Sequence, residues 1–497
     1  MTLFVGLDLG TTGGRCLVVD EGGRRVASAA RPWTYRSEGF GICELDPEVA
    51  FRAMAEATRE AVSGVDSQDV AAVGITSQRT GVVLVDEEGR ELYTGPNADG
   101  RAIAEGAELE REYGDLIYRT AGRLPVMLYL PARLAWFRAN RPDVLERTRW
   151  ALAFSDWLGF RLTGTAATEP TQAAEMLVYD LASGSWSGDL CAALGVPRHL
   201  LPDIRPLGSP TGALTPDRAA ELGLPPGIPI VAAGCDTQAA ALGLGLTEPG
   251  EAVVVAGSTM LCQQLSGKPQ IDEERKLWTS PHLAGGFVIE AHCSEAGGAL
   301  DWLTRLMGCT HEAMDRGAAA GEPGGGGVFF LDAAPSHVGN FPLMRTGALM
   351  FPAPLIALAR SRDDVARAAL EGNAFGARAG LEWLTEAGGP ASSVALGGGV
   401  SRSHTFGRIL ATAVGAPIRV ANESNGSALG AAILAAVGAG AHGDVVGATR
   451  AMGDAGRIVD PDDSWAGPTS SAYAGWRERI ARMDETTMRV GHMIGPR

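Results

Sequence analysis

The chain has 497 residues, 45% hydrophobic and 20% charged, a globular balance too long for one ordinary core, so two large domains are expected. A formal net charge of −16 argues against nucleic acid or an anionic membrane as partner, since both attract cations. A small anionic ligand stays open, because backbone amides and a metal ion can hold one locally.

The opening residues lack a basic segment and a long apolar core, so they do not read as a signal peptide. No run of 18 apolar residues suggests a membrane span. Seven cysteines (16, 43, 191, 235, 262, 293 and 309) are scattered without a CxxC pair, which suits reduced thiols and a cytoplasmic protein. The eight histidines are dispersed too, so no metal cluster is expected from them.

"LFVGLDLG" reads as a buried strand ending in the small polar turn "GTTGG". "RCLVVD" and "RRVASAA" follow as strands across the turn "EGG". "DPEVAFRAMAEATREAVSGV" is an amphipathic helix capped by Asp46 with Pro47 at its first position, and "VAAVGITSQ" returns as a strand. "VAAGCDTQAAALGLG" promises a buried strand running into a closely packed helix, with Asp236 between them. A carboxylate there is costly unless something uses it. Its bland reading is a helix N-cap.

"LGLGLTEPGE" (242–251) has the glycine and proline content of a linker between two lobes. The second half then repeats the theme. "EAVVVAGST", "MLCQQLSG" and "GGFVIEAHC" are strands, and "EAGGALDWLTRLM" and "RDDVARAALEGNAFGARAGLEWLTEAG" are helices. "SVALGGG" is a strand with a glycine turn, "SALGAAILAAVGAG" a small-residue helix, and "GAAAGEPGGGGVFF" a surface loop. Two mixed lobes imply a cleft, where small-molecule sites usually lie.

Three glycine turns follow apolar strands: "DLGTTGGR" (8–15), "VAGSTM" (255–260) and "LGGGVSRS" (396–403). Glycine lets the backbone approach a phosphate closely. None is a GxxxxGK[ST] loop or a clean GxGxxG opening a helix, so a dinucleotide fold is disfavoured.

In order and spacing, "GLDLGTTGGR", "GITSQRTGVVLVDEEGRELYTGPNADGR", "GCDTQAAALGLG", "VALGGGVSRSHTFGRILATAVG" and "SALGAAILA" resemble the FGGY carbohydrate kinases, from about residue 3 to 440. The resemblance implies an α/β fold of two ribonuclease-H-like domains, of the actin, hexokinase and heat-shock-ATPase type, around a central cleft. It divides the chain into 1–246 (sugar and catalytic base), 247–450 (nucleotide) and a helical tail, 451–497, packed on the core. It implies ATP and Mg²⁺ as cofactors and a small sugar as partner. A homodimer is compatible with it.

Carried over residue by residue, the resemblance makes Asp236 the general base that takes the proton from the attacking sugar hydroxyl, a role suited to phosphoryl transfer. Asp8 would face magnesium, with Asp236 also near the metal. Thr11, Thr12, Gly13 and Arg15 would lie along the ATP phosphates, with Ser258 and Thr259 closing from the other lobe. Gly398, Gly399, Ser403, Gly297 and Asp301 would border the nucleotide. Gln78, Arg79, Thr80, Asp99, Arg101 and Thr237 would face the sugar.

The chain departs from the family in the sugar segment. Glycerol kinases carry an Arg-Glu pair and xylulokinases a Met-His pair where this chain has Arg79 and Thr80. Thr80 removes the carboxylate that would accept from glycerol hydroxyls. Asn97 replaces a tryptophan, Arg133 a common lysine, and "FFLDAAPSHVGNFPLMRTG" lacks the xylulokinase "GER" loop. "NESNGSALGAA" is two residues longer than the usual spacing, leaving Asn425 near the usual acid. The resulting expectation is an ATP-dependent kinase for a small linear sugar, first a ketopentose, with an autoinducer-2-type or other polyol kinase as the alternative. A catalytically silent ATP- or sugar-binding sensor is the non-enzyme rival, and the presence of both Asp8 and Asp236 speaks against it.

Overall fold

The computed structural model describes residues 1–37, 41–332, 335, 347–353, 360–423 and 425–494. Two mixed sheets organise the molecule. The first has six strands in the order Pro210–Ala213, Pro229–Cys235, Val70–Ser77, Leu3–Leu9, Gly13–Asp20 and Arg25–Pro32. The second has seven: Trp278–Pro281, Phe287–Glu295, Thr259–Ser266, Glu251–Ala256, Ser393–Gly397, Ile418–Val420 and Arg457–Val459.

The two sheets share one plan. A central strand (Leu3–Leu9 or Glu251–Ala256) pairs antiparallel with the next strand in sequence on one side. On its other side it pairs parallel with a later strand, Val70–Ser77 or Ser393–Gly397. That symmetry is the duplicated α/β architecture expected from the sequence. Parallel strands covered on both faces read as continuous apolar runs, and all seven residues of Leu3–Leu9 are buried although one is Asp8.

Helix Pro47–Val62 starts as expected, with the Asp46 carboxylate accepting from the Glu48 and Val49 amides and Pro47 in the first turn. Helix Arg362–Gly388 opens on a capping box between Ser361 and Asp364. The tail is not all helix. Arg457–Val459 first adds an edge strand to the second sheet, and helix Asp463–Ile494 then buries Trp476 and Tyr473 against Phe375.

Two surface expectations are corrected. Residues 317–320 close helix His311–Ala320, and Gly325 and Phe330 are buried, so the glycine-rich patch is not a surface loop. The 242–251 segment is likewise less of a linker than its composition suggests. Helix Asp236–Gly243 runs into it, Leu244 and Leu246 are buried, and the Leu246 carbonyl meets His282 Nε2 at 2.9 Å. Glycine content marks turns, but here it also permits close packing. Most of the segment expected to lack a "GER" loop, residues 333, 334 and 336–346, lies outside the described residues, as does Ser424 in "NESNG".

The small-residue helix, Gly426–Gly438, crosses from the second half of the sequence to cover the first sheet. Its approach is that of bare backbone. A Cβ on Gly6 would stand 1.9 Å from the Ala428 carbonyl oxygen, and one on Gly74 1.9 Å from that of Ala431. On the helix itself, a Cβ on Gly430 would stand 1.9 Å from the Ala239 carbonyl oxygen, at the helix that begins with Asp236. Gly430→Ala should therefore destabilise the protein by about 1–3 kcal/mol, as overpacking of a tight core does. The midpoint of urea unfolding reads this directly, and an unchanged midpoint would contradict the close packing.

Candidate active site

Three adjacent parallel strands of the first sheet end side by side, and each delivers polar groups at its C-terminal end. Leu3–Leu9 carries Asp8, Val70–Ser77 leads into Gln78 and Arg79, and Pro229–Cys235 leads into Asp236. The last strand turns into helix Asp236–Gly243 through Gly234, at φ +71°, where a Cβ would lie 2.3 Å from Thr171 Oγ1. Cys235 occupies the N-cap and Asp236 the first helical position, so the N-cap reading of Asp236 is off by one residue. An acid in the first turn still suits the positive end of the helix.

Asp8 is buried. Its Oδ1 has no hydrogen-bond partner and its Oδ2 lies 3.6 Å from Arg15 across the strand pair. Burial raises its carboxyl to about 6 against the pull of Arg15. Burial, reinforced by the Asp8 charge, lifts Asp236 to about 7, while Arg79 works in the opposite direction. The two acids are thus mutually repulsive groups in one desolvated place. An unpartnered buried carboxylate oxygen beside a second acid fits a divalent cation that brings phosphate and water ligands of its own. Among the described residues no group of three or more His, Cys, Asp or Glu could hold a metal, so a closed protein cage is excluded.

These values set a pH dependence. With the expected role of Asp236 as base and its carboxyl at about 7, log kcat/KM for the sugar should climb with unit slope toward about pH 7 and then level. Both folded pKa values exceed the ordinary carboxylate value of 3.8, so protonation stabilises the ligand-free fold. That contribution is whole below about pH 4 and is lost as pH rises through about 6 and 7. A kcat/KM profile flat between about pH 5 and 8 would refute the reading.

The first glycine turn is braced. The Thr11 carbonyl accepts from Trp33 Nε1 at 3.3 Å and from the Tyr35 hydroxyl, and Thr11 Oγ1 accepts from Asn97 Nδ2 at 3.0 Å. Thr11 and Thr12 remain exposed. Gly13 lies in the strand, where a Cβ would meet the Arg31 carbonyl oxygen at 2.5 Å, so its glycine serves strand pairing. Gln78 is fully buried, its Oε1 accepting from the Asn97 amide at 3.0 Å and its Nε2 reaching the Gly10 carbonyl at 3.4 Å. It ties the two loops together.

In the second half, Ser258 and Thr259 are exposed at a turn laced to helix Gly297–Met307. The Gly257 carbonyl accepts from the Gly297 amide at 2.9 Å, and the Ser258 carbonyl from those of Ala296 and Gly298 at 3.0 Å. A Cβ on Gly297 would meet Gly257 O at 2.5 Å, and one on Gly398 (φ +90°) would meet Ala256 O at 2.4 Å. Gly399 has open space beside it, so the backbone of this turn is presented bare. Asp301 is exposed, 2.7 Å from His311 Nε2. Ser403 has bonds of its own. Its hydroxyl accepts from the Phe406 amide as a helix cap and donates to Asp315.

The sugar segment differs most from expectation. Asp99 is fully buried, with its oxygens taken by the Cys43 amide, the Tyr93 hydroxyl and Arg101 Nε. Arg101 also holds Glu44 at 2.6 Å and stacks over Tyr93, Trp136 and Phe137. Both side chains are thus paired within the protein. Thr80 sits at φ +59° and turns its carbonyl to Arg133 Nη1, 2.8 Å away. Thr237 Oγ1 lies 2.6 Å from Gln238 Oε1.

Arg79 meets the carboxylate that Thr80 cannot supply. Glu290, on strand Phe287–Glu295 of the second sheet, lies 2.7 Å from Arg79 Nη1 and accepts from Gln263 Nε2 at 2.7 Å. Burial works against both charges. Even so, Glu290 and Glu175 hold Arg79 above its ordinary value, and Arg79 and Arg123 hold Glu290 below its own. A second pair, Arg123 with Glu175 at 2.8 Å, is almost wholly buried beside the first. The Trp278 ring is within reach of both guanidinium groups, its centroid 4.9 Å from that of Arg79 and 5.3 Å from that of Arg123. The sequence reading missed Glu290, Gln263, Arg123, Glu175 and Trp278. One signal was present: the apolar strand "FVIEAHC" carries a buried glutamate with no local reason to be there.

The comparisons with known proteins agree with this architecture. The N-terminal domain of the FGGY family of carbohydrate kinases matches residues 3–243, and its C-terminal domain residues 252–439. The chain is 28% identical over 471 residues to an autoinducer-2 kinase of Yersinia enterocolitica, covering 88% of this chain and 87% of that protein. It is 28% identical over 468 residues to the autoinducer-2 kinase of Escherichia coli K12, covering 88% of this chain and 86% of that protein. A xylulose kinase from Rhodospirillum rubrum superimposes with a TM-score of 0.85 at 27% identity, covering 98% of this chain and all (100%) of that one. Two matching domain models, which together span most of the chain, place it in the FGGY family of carbohydrate kinases.

Proposed function

We propose that this kinase transfers the γ-phosphate of ATP to a hydroxyl of a small linear ketose, first a ketopentose, in the cytoplasm. The observation that carries the reading is Asp236, a partly buried acid at a strand-to-helix corner, electrostatically coupled to Asp8 and Arg79. At about 7 its proton affinity suits a base that must accept a hydroxyl proton near neutrality. Residues 1–246 then form the sugar-binding half and 247–450 the nucleotide half. Arg79 donates to substrate oxygens, and Thr11, Thr12, Arg15, Ser258 and Thr259 face the phosphates. Gly297, Asp301, Gly398 and Gly399 border the nucleoside. Asp8, with Asp236, is the acid that would hold magnesium, which supplies neutralisation of phosphate charge when bound.

The second reading, phosphorylation of a shorter linear polyhydroxy ketone, has support of its own. Relatives named autoinducer-2 kinases align along 88% of the chain. A coupled ADP-release assay over ketopentoses, short polyhydroxy ketones, alditols and glycerol separates the two. A ketopentose should give the largest kcat/KM. Preference for glycerol over every ketose would overturn both readings.

A further inference from the structure

Asp236 is aimed by its backbone. Among the described residues no side chain hydrogen-bonds its carboxylate, so its direction follows from the corner that leads into helix Asp236–Gly243. The strand ladder does not hold that corner. Pro229–Cys235 pairs regularly with Val70–Ser77 as far as Ala232, opposite Ile75, and slips before Cys235, opposite Ser77. Gly234 lies inside the slip, in the left-handed region.

Two buried hydroxyls take the place of the missing ladder. Thr76 Oγ1 donates to the Gly234 carbonyl at 2.9 Å, which fixes the peptide plane that Gly234 shares with Cys235. Thr171 Oγ1 stands where a Gly234 side chain would begin. Thr171 is itself held by Glu169, which accepts from its hydroxyl at 2.7 Å and its amide at 2.8 Å. The Gln172 amide also donates to Glu169, at 2.6 Å, and Gln172 Nε2 reaches Ser77 Oγ at 3.3 Å. Thr76, Ser77, Glu169, Thr171 and Gln172 are at most 1% exposed. Capping of the short helix Pro170–Ala174 accounts for the two amides on Glu169, but not for a hydroxyl turned onto the corner.

We propose that Thr76 and Thr171, the latter oriented by Glu169, are positioning residues that set the direction of Asp236 for proton transfer. The inference rests on the proposed role of Asp236 as base. A base works only within hydrogen-bond reach of its proton, and a misplacement of about 1 Å can cost on the order of 10² in rate. Valine at either position puts a methyl group in place of the hydroxyl, which cannot donate and needs more room. At 171 that methyl presses on Gly234 and releases Glu169. At 76 the Gly234 carbonyl loses its donor.

Turnover is measured on the full chain with ATP, Mg²⁺ and whichever compound of the ketose and polyol panel is phosphorylated fastest, per ADP site counted by calorimetry. Thr171→Val should lower kcat by about 10- to 100-fold and leave both KM values within about threefold. Thr171→Ser keeps the hydroxyl and should stay within about threefold of the wild type. Thr76→Val and Thr76→Ser should behave as the same kind of pair, and they decide the matter if Thr171→Val does not fold. In an Asp236→Asn background either valine should change kcat by less than about twofold, because its effect passes through the absent base. That background also exposes a Thr76 effect routed through Asp8, its pairing partner on the neighbouring strand, which would persist there. A persistent loss, wild-type kcat per site in a folded valine variant, or failure of both valine variants to fold would each overturn the inference. Low turnover in Asp236→Asn with wild-type valine variants removes only the positioning role, whereas near-wild-type turnover in Asp236→Asn removes the base reading and this inference with it.

Discussion

Asp236→Asn should lower turnover by on the order of 10²–10⁴ while ADP affinity stays near that of the wild type. Asparagine keeps the size of the side chain and its place in the first turn of helix Asp236–Gly243, but it cannot accept the hydroxyl proton. The groups proposed to meet the nucleotide lie on other elements: the Gly257–Ser258 turn, helix Gly297–Met307 and the Gly398–Gly399 turn. Stability supplies an internal control. Burial and the Asp8 charge make ionised Asp236 unfavourable in the ligand-free fold above about pH 7. A neutral amide removes that repulsion, so the variant should melt no lower than the wild type at about pH 8. Loss of activity with loss of fold would mean a structural acid. Turnover within a few-fold of wild type would remove Asp236 from the chemistry.

Arg133→Met should cost on the order of 3 kcal/mol or more of stability and raise the KM for sugar more than that for ATP. The Arg133 side chain is 1% exposed. It holds the carbonyls of Thr80 at 2.8 Å, Gly95 at 3.1 Å and Pro96 at 2.6 Å. Methionine fills the stem of the cavity but takes the charged donor from all three carbonyls, of which Pro96 keeps the Asp99 amide at 3.1 Å, and each acceptor left unpaired costs about 1–3 kcal/mol before relaxation. The effect should reach the sugar because one of those carbonyls belongs to Thr80, whose φ of +59° is held against its own preference. Release of Thr80 would move the adjacent Arg79 off Glu290. Arg133→Lys should fall between the two, since one ammonium cannot copy a planar fork spanning three carbonyls. Denaturant midpoints and paired KM measurements check this, and a variant with wild-type values for both would show that the fork holds nothing in place.

Local sequence determined a great deal about this protein. Strand Leu3–Leu9, helix Pro47–Val62 with its Asp46 cap and helix Arg362–Gly388 follow from runs of apolar residues, helix periodicity and cap chemistry that need no distant partner. Asp236 was legible for a related reason, because a charge inside an apolar, small-residue stretch has no local explanation and points to use. Other features depended on contacts between residues far apart in the chain. Gly426–Gly438 reads only as a small-residue helix, and the sheet it covers is set by glycine contacts more than 350 positions away, Gly6 to Ala428 and Gly74 to Ala431. Asp99 and Arg101 looked available to substrate, and tertiary packing spent them on each other, Tyr93 and Glu44. The carboxylate missing at Thr80 returns as Glu290, 211 positions after Arg79. An ion pair depends on where two side chains end in space, and spacing along a sequence carries that information only within a helix turn or a strand pair. The sequence alone therefore singled out Asp8 and Asp236, while the pairing of Arg79 with Glu290 was decided by the meeting of the two sheets.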